Sequence, residues 1–121
     1  MAAPNLVAPT TINGKTIGAA LTTSSADILT NSSGSNKVLK VNSVYVANID
    51  GTSAADVTVT VYDSSAAASY NLAKTIAVPA DATLVVVDKD AYIYLEEGDK
   101  IAALASANSD LEIVISYEDI S

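Results

Sequence analysis

The chain has 121 residues, a length typical of one domain, and its six lysines stand against fourteen acidic residues, for a net charge of −8. It contains no Cys and no His, which excludes disulfides, thiolate metal sites, thiol nucleophiles and the usual neutral-pH acid/base group. The negative charge opposes nucleic-acid binding, because that affinity comes chiefly from neutralising phosphates. We therefore expect a protein that is not an enzyme, needs no cofactor and does not bind nucleic acid.

The N-terminus lacks the basic residues and the apolar run of a secretory signal, and no stretch reaches the ~20 apolar residues of a membrane helix. We expect a chain that is made in the cytoplasm and does not enter a membrane. An Asn-Ser-Ser sequon at 31–33 arises easily by chance in a Ser-rich loop and carries little weight.

Residues 1–14 are predicted to form an extended N-terminal arm, since Pro4 and Pro9 interrupt an otherwise apolar segment. Two roles remain open for this arm. It is either a strap or edge strand on the domain's own sheet, or an arm that docks on a neighbouring subunit by strand addition. Its interface candidates are Leu6, Val7, Pro9 and Ile12.

In the first half of the chain, strands are predicted at 15–22, 26–31, 37–49 and 56–63. The last of these alternates Val with Thr, the pattern of a half-buried strand. In 37–49 the apolar positions lie on one face first and then, with Val44 and Val46, on both faces, which indicates either a new contact or a β-bulge. The turn at 50–53, with Gly51, predicts a hairpin between 37–49 and 56–63.

The second half predicts strands at 70–78, 83–87, 92–95, 100–105 and 111–118. The Leu-Val-Val-Val run within 83–87 predicts burial on both faces, and the acidic turn at 96–99 predicts a hairpin-like unit on either side of it. No segment has the apolar spacing of a long helix. We expect a single all-β domain over 15–121, an antiparallel β-sandwich of about eight strands with jelly-roll-like topology.

Four acidic residues in two turns are weak candidates for Ca²⁺ ligands: Asp88, Asp90, Glu97 and Asp99. Their spacing does not match an EF-hand loop, because Tyr92 and Ile93 stand where the pattern needs an acid or amide and then Gly. Solvated acidic turns are the favoured interpretation. No metal site is therefore predicted.

The six tyrosines supply all the aromatic area of the chain. Tyr92 and Tyr94 lie two residues apart, on one face of the predicted strand, and are further interface candidates. For most of the six, packing at the edges of the core is the favoured interpretation.

Several segments, in their order and spacing, resemble small virion structural proteins of tailed cyanobacterial phages. They are residues 14–16, 37–38, 41–46, 78–86, 95–101, 105–112 and 116–121. The resemblance covers most of the chain. It implies a virion protein of the capsid decoration or cement kind, or else a neck, tail or baseplate component, and it brings no catalytic residues.

The leading hypothesis is a decoration protein that docks on the major capsid protein or other virion proteins, located in the virion and oligomeric, with a trimer favoured. A neck, tail or baseplate component is the first alternative. The second is a module that binds carbohydrate or a host surface through acidic turns with Ca²⁺ and exposed Tyr. An enzyme is the weakest alternative, because no nucleophile is visibly paired with a base.

Overall fold

Two antiparallel sheets, packed face to face, make up the computed structural model, which describes residues 4–121. Its strands are β1 (Ile12–Ala20), β2 (Ala26–Thr30), β3 (Val38–Asn48), β4 (Ala55–Asp63), β5 (Ala68–Val78), β6 (Thr83–Val87), β7 (Ile93–Leu95), β8 (Lys100–Ala105) and β9 (Leu111–Ile120). A 3₁₀ turn at Lys89–Ala91 separates β6 from β7, and residues 4–121 contain no α-helix.

The strand order identifies the topology. The first sheet runs β1-β9-β3, with β6 and β7 pairing with successive stretches along the far side of β3. The second sheet runs β2-β8-β4-β5. If β6 and β7 are taken as one interrupted strand, the chain crosses between the sheets at every connection except β4 to β5, as in an eight-stranded jelly roll. The predicted sandwich is confirmed.

Both predicted hairpins are wrong. β3 and β4 lie in different sheets, and so do β7 and β8. Their turns reverse the chain but carry it across the sandwich, so that each strand pairs with partners distant in sequence. Turn residues such as Gly51 fix a local bend, whereas the choice of hydrogen-bonded neighbour depends on the packing of the whole sandwich.

A register shift in β3 between Val41 and Ser43 explains why apolar residues occupy both faces in the second half of this segment. Before the shift Val41 points into the core, and after it Val44 and Val46 do so, all three fully buried. Of the two predicted explanations, the bulge is confirmed. Its consequence is that Tyr45 points away from the core.

The prediction that 83–87 is buried on both faces is wrong. This segment is an edge strand that pairs only with β3, and Val85 is 58% exposed. A continuous apolar run does not distinguish a strand covered on both faces from one whose outer face is open.

The core lies between the sheets and consists of aliphatic side chains, among them Val57, Val59, Ile101, Ile113 and Ile115, all fully buried. Burying each such side chain stabilises the fold by roughly 1.5–3 kcal/mol. Alternate residues of the strands in both sheets point inward, so a domain without Phe or Trp still has a continuous core.

The N-terminal segment differs from the predicted arm of residues 1–14, of which 1–3 lie outside the described residues. Residues 12–14 belong to β1 and pair with β9. Residues 4–11 are not fully extended, because the Ala8 amide donates to the Asn5 carbonyl (3.0 Å) in a turn. Thr10 and Thr11 donate to the carbonyl of Ser121, so here the segment follows the domain's own sheet.

Candidate interaction surface

The exposed large hydrophobic side chains are concentrated on one side of the sandwich. Eight of the ten found in residues 4–121 lie on the outer face of the first sheet, just beyond β3, or in the N-terminal segment: Leu6, Val7, Ile12, Tyr45, Ile49, Val85, Tyr92 and Tyr94. We call this set the apolar face. The other two, Tyr70 and Ile76, lie on the edge strand β5.

At one end of the apolar face the N-terminal segment borders an open groove of about 460 Å³. Its lining includes Leu6, Val38 and Tyr94. Val38 and its strand neighbour Ile120 are 6% and 4% exposed, although they lie outside the cluster of core residues between the sheets. The outer face of the first sheet therefore carries a small buried apolar patch of its own at this end.

Two of the predicted interface residues, Tyr92 and Tyr94, lie together at this end. Their ring centroids are 5.5 Å apart with an interplanar angle of 82°, an edge-to-face contact. The Lys40 ammonium lies 4.4 Å from the centroid of the Tyr92 ring and 3.9 Å from a carboxylate oxygen of Glu118. The aromatic pair is thus held in place while both rings remain more than 40% exposed.

At the other end of the apolar face, Val114 on β9 and Val85 on β6 flank Tyr45 across the sheet. Towards β1, the residue opposite Val114 is Gly18, which has no side chain to extend this apolar surface. The sequence pattern did not indicate Tyr45 or Val85 as interface residues. The bulge in β3 was the signal that could have revealed Tyr45, because it reverses the face on which that residue lies.

The outer face of the second sheet is different in kind. Its central strand β4 presents Thr58 and Thr60, alternating with the buried valines. On its neighbours, Lys100 forms a 3.1 Å ion pair with Asp27 and lies 5.5 Å from the ring centroid of Tyr62. Hydroxyls and charges replace the exposed aliphatic and aromatic groups of the first sheet.

Asp119 on β9 forms ion pairs with a lysine on β1 and with the lysine that directly precedes β3. Its carboxylate accepts from Lys15 Nζ at 3.1 Å and from Lys37 Nζ at 3.2 Å, while Asp119 itself is only 6% exposed. Burial alone would raise the pKa of this carboxyl, but hydrogen bonds and attraction from the two ammonium groups outweigh it and hold the pKa of Asp119 below its ordinary value.

The four acidic residues considered for Ca²⁺ do not come together. Asp88 accepts the amides of Asp90 and Ala91 and begins the 3₁₀ turn. Asp99 is buried and accepts the amides of Ser64 and Glu96 at 2.9 and 3.0 Å. Within residues 4–121 no group of three or more acidic side chains is arranged to hold a metal ion.

The turn that contains Glu97 and Asp99 is built to join loops. Gly98 has a φ of +89°, and a Cβ there would lie 2.8–2.9 Å from Ser64 on the β4–β5 loop. Ser64 Oγ also donates to the Glu97 carbonyl at 3.0 Å. These contacts account for the acidic turn as a structural element.

The amide of Asn31 in the sequon is part of the fold. Asn31 is 2% exposed, and its Nδ2 donates to the carbonyls of Lys37 and Leu95, both at 2.9 Å. Its Oδ1 accepts from Ser35 Oγ. Attachment of a glycan would break these bonds, so the sequon has a structural explanation.

The tyrosines do not follow the favoured interpretation. Only Tyr117 packs against the core cluster, whereas four of the six are exposed: Tyr45, Tyr70, Tyr92 and Tyr94. Three of these four lie on the apolar face. Exposed aromatic area on one side of a small domain is typical of contact surfaces.

No helix in the described part of the chain is long and apolar enough to cross a membrane. No protein-family model matches the chain, and no curated protein matches it. Among solved structures, it is similar to a protein of Bacillus endospore appendages, which form a novel family of disulfide-linked pili. The TM-score is 0.53 at 16% identity, over 91% of this chain and 87% of the other. At this identity the similarity establishes the fold alone.

Proposed function

We propose that the protein is a non-enzymatic structural subunit of a phage virion, a capsid decoration or cement protein that docks on the shell through the apolar face. The observation that carries this proposal is the one-sided exposure of large hydrophobic side chains, eight of ten on one side of the sandwich. Large hydrophobic side chains exposed together on one side of a domain are typical of protein–protein contact sites.

Three further points support it. Several segments of the sequence, in their order and spacing, resemble small virion proteins of cyanobacterial phages. The structural neighbour belongs to an assembled appendage, which supports self-association in general terms. The 121 residues of this chain include no Cys, so they cannot contribute disulfide links to an assembly. Many weak contacts repeated over a shell stabilise it through avidity.

The first test is cryo-electron microscopy of the intact virion. We expect the protein in high, symmetry-related copy number on the capsid, with Leu6, Tyr45 and Tyr94 facing the shell. A few copies per particle, confined to the tail or neck, would contradict decoration and support the tail, neck or baseplate alternative. Absence from purified particles would exclude every virion role.

Binding to shells stripped of the protein separates the apolar face from the rest of the surface. We expect the double variant Tyr45→Ser/Tyr94→Ser to bind such shells at least about tenfold more weakly, because hot-spot aromatic contacts are worth about 2 kcal/mol or more. The matched control, Thr58→Ser/Thr60→Ser on the second sheet, should bind as the unmodified protein does. Equal binding by both variants would place the docking surface elsewhere.

A carbohydrate- or host-surface-binding module is the second alternative from the sequence. The separation of the four acidic residues removes one observation that favoured it. A glycan array with and without chelator tests what remains, and chelator-sensitive binding to a defined glycan would support that alternative.

A further inference from the structure

The backbone of β1 presents an unpaired edge. Thr11 and Ser121 exchange two backbone hydrogen bonds, and the Leu21 amide donates to the Leu111 carbonyl at the other end of the strand. Bonded residues alternate along an antiparallel pair, and the pairing of β1 with β9 has no register shift. The odd-numbered residues of β1 therefore bond to β9.

The even-numbered residues of β1 point their N–H and C=O groups away from the sheet. Apart from Ile12 at its start, these are Gly14, Thr16, Gly18 and Ala20, all exposed. No other strand within residues 4–121 lies along this edge. Such an edge is a template for pairing.

The other three edges are interrupted. β2 has five residues and a register shift, and the edge formed by β6 and β7 is broken by the 3₁₀ turn. β5 has two register shifts against β4, carries Lys74, and places Thr75 at a φ of +53°. Bulges and lysines are the devices that blunt edge strands. Of the four sheet edges in residues 4–121, only β1 is long and regular.

Charge does not blunt β1 either. Its single charged residue is Lys15, whose ammonium is held by Asp119 at 3.1 Å. A complete second edge of the same kind is supplied by another copy of this chain, and two copies of one strand related by a two-fold axis pair antiparallel. Registers centred on Thr16 or on Ile17 bring the outward-facing residues together and keep the two Lys15 side chains apart.

We propose that β1 pairs with β1 of a second copy across a two-fold axis, joining the two first sheets into one continuous sheet. Four or five facing residue pairs, with two backbone hydrogen bonds each, hold the strands together. The dimer replaces the trimer that the sequence favoured, and it places two apolar faces side by side on one surface. The proposal concerns the isolated protein and stands independently of where the protein docks.

Hydrogen exchange of the unmodified protein, measured at low and high concentration beside light scattering, tests the pairing. We expect a mass of twice 12.3 kDa and, as the dimer forms, slowing of exchange at the amides of Gly14, Thr16, Gly18 and Ala20 on the order of tenfold or more. The odd-numbered amides of β1 should be protected at both concentrations.

Thr16→Pro provides the variant test, because it removes an outward N–H and leaves the bonds to β9 intact. We expect it to be a folded monomer. Thr16→Val, which keeps the amide, should remain dimeric. If Thr16→Pro fails to fold, hydrogen exchange of the unmodified protein decides alone.

A monomer at all concentrations, a trimer, or a dimer whose even-numbered amides exchange as fast as in the monomer would each overturn the proposal. None of these results depends on a virion, so failure here is distinguishable from failure of the proposed function.

Discussion

The two sheets of this sandwich share one core but differ in every surface that faces away from it. The first sheet exposes Tyr45, Val85 and Tyr94 and ends in the regular edge of β1, whereas the second carries the half-buried Thr58 and Thr60 on its outer face and ends in the interrupted edge of β5. Burial in the core cannot explain this difference, since both sheets contribute fully to it. This asymmetry is the observation on which the proposed docking surface rests.

The largest difference is expected between ion pairs on the two sheets. Asp119→Asn removes a buried carboxylate that holds two lysines, and we expect it to lower the free energy of unfolding by about 1 kcal/mol, a value limited by the solvent exposure of both lysines. Asp27→Asn, in the exposed pair with Lys100 on the second sheet, should change it by less than about 0.5 kcal/mol. Urea unfolding measures both.

The stability difference between the unmodified protein and Asp119→Asn should depend on pH in a definite direction. Because the pKa of Asp119 is lowered on folding, its contribution is complete above the ordinary value of about 3.9 and is lost as pH falls through the lower folded value. The unmodified protein and Asp119→Asn should therefore differ most near neutral pH and converge in acid. A difference that grows below about pH 4 would contradict the assignment.

Substitutions on the edge strands β5 and β1 should change stability in opposite directions. Thr75 on β5 is a β-branched residue in the left-handed region of backbone conformation. Thr75→Gly should therefore raise the free energy of unfolding by about 0.5 kcal/mol, which a higher midpoint of thermal unfolding would show. The Thr75 amide still donates to Thr58 Oγ1 after the change. Thr16→Gly, at an extended position of β1, should instead destabilise by about 0.5–1 kcal/mol. Two changes of equal sign would show that the strain in β5 is not what distinguishes the edges.

The faces give the smallest effect on stability. Tyr45→Ser/Val85→Ser should alter the free energy of unfolding by less than about 0.5 kcal/mol, because both side chains lie outside the core between the sheets. Its retention on a hydrophobic-interaction column should fall clearly. Thr58→Ser/Thr60→Ser should leave retention unchanged, and equal shifts in the two double variants would remove the distinction between the faces.

The sequence predicted the elements well and their pairing poorly. Alternation of Val with Thr places the β4 strand and its buried face without reference to the rest of the chain. The same local information cannot say that β3 and β4 belong to different sheets, because the turn around Gly51 is compatible with a hairpin and with a crossing. The sequence predicted only part of the candidate surface. Tyr45 and Val85 were missed, and the residues predicted correctly as part of it were Leu6, Val7, Ile12, Tyr92 and Tyr94.

By itself, the sequence determined the all-β class, the positions of most strands and the absence of thiol and imidazole chemistry, since composition and a period of two residues are local properties. Only the tertiary structure decided which strands are edges, which of the two explanations for the apolar pattern of β3 is right, and how three of the four exposed tyrosines come to lie on the side of the first sheet. These depend on hydrogen bonds between residues far apart in sequence, and no local pattern encodes them.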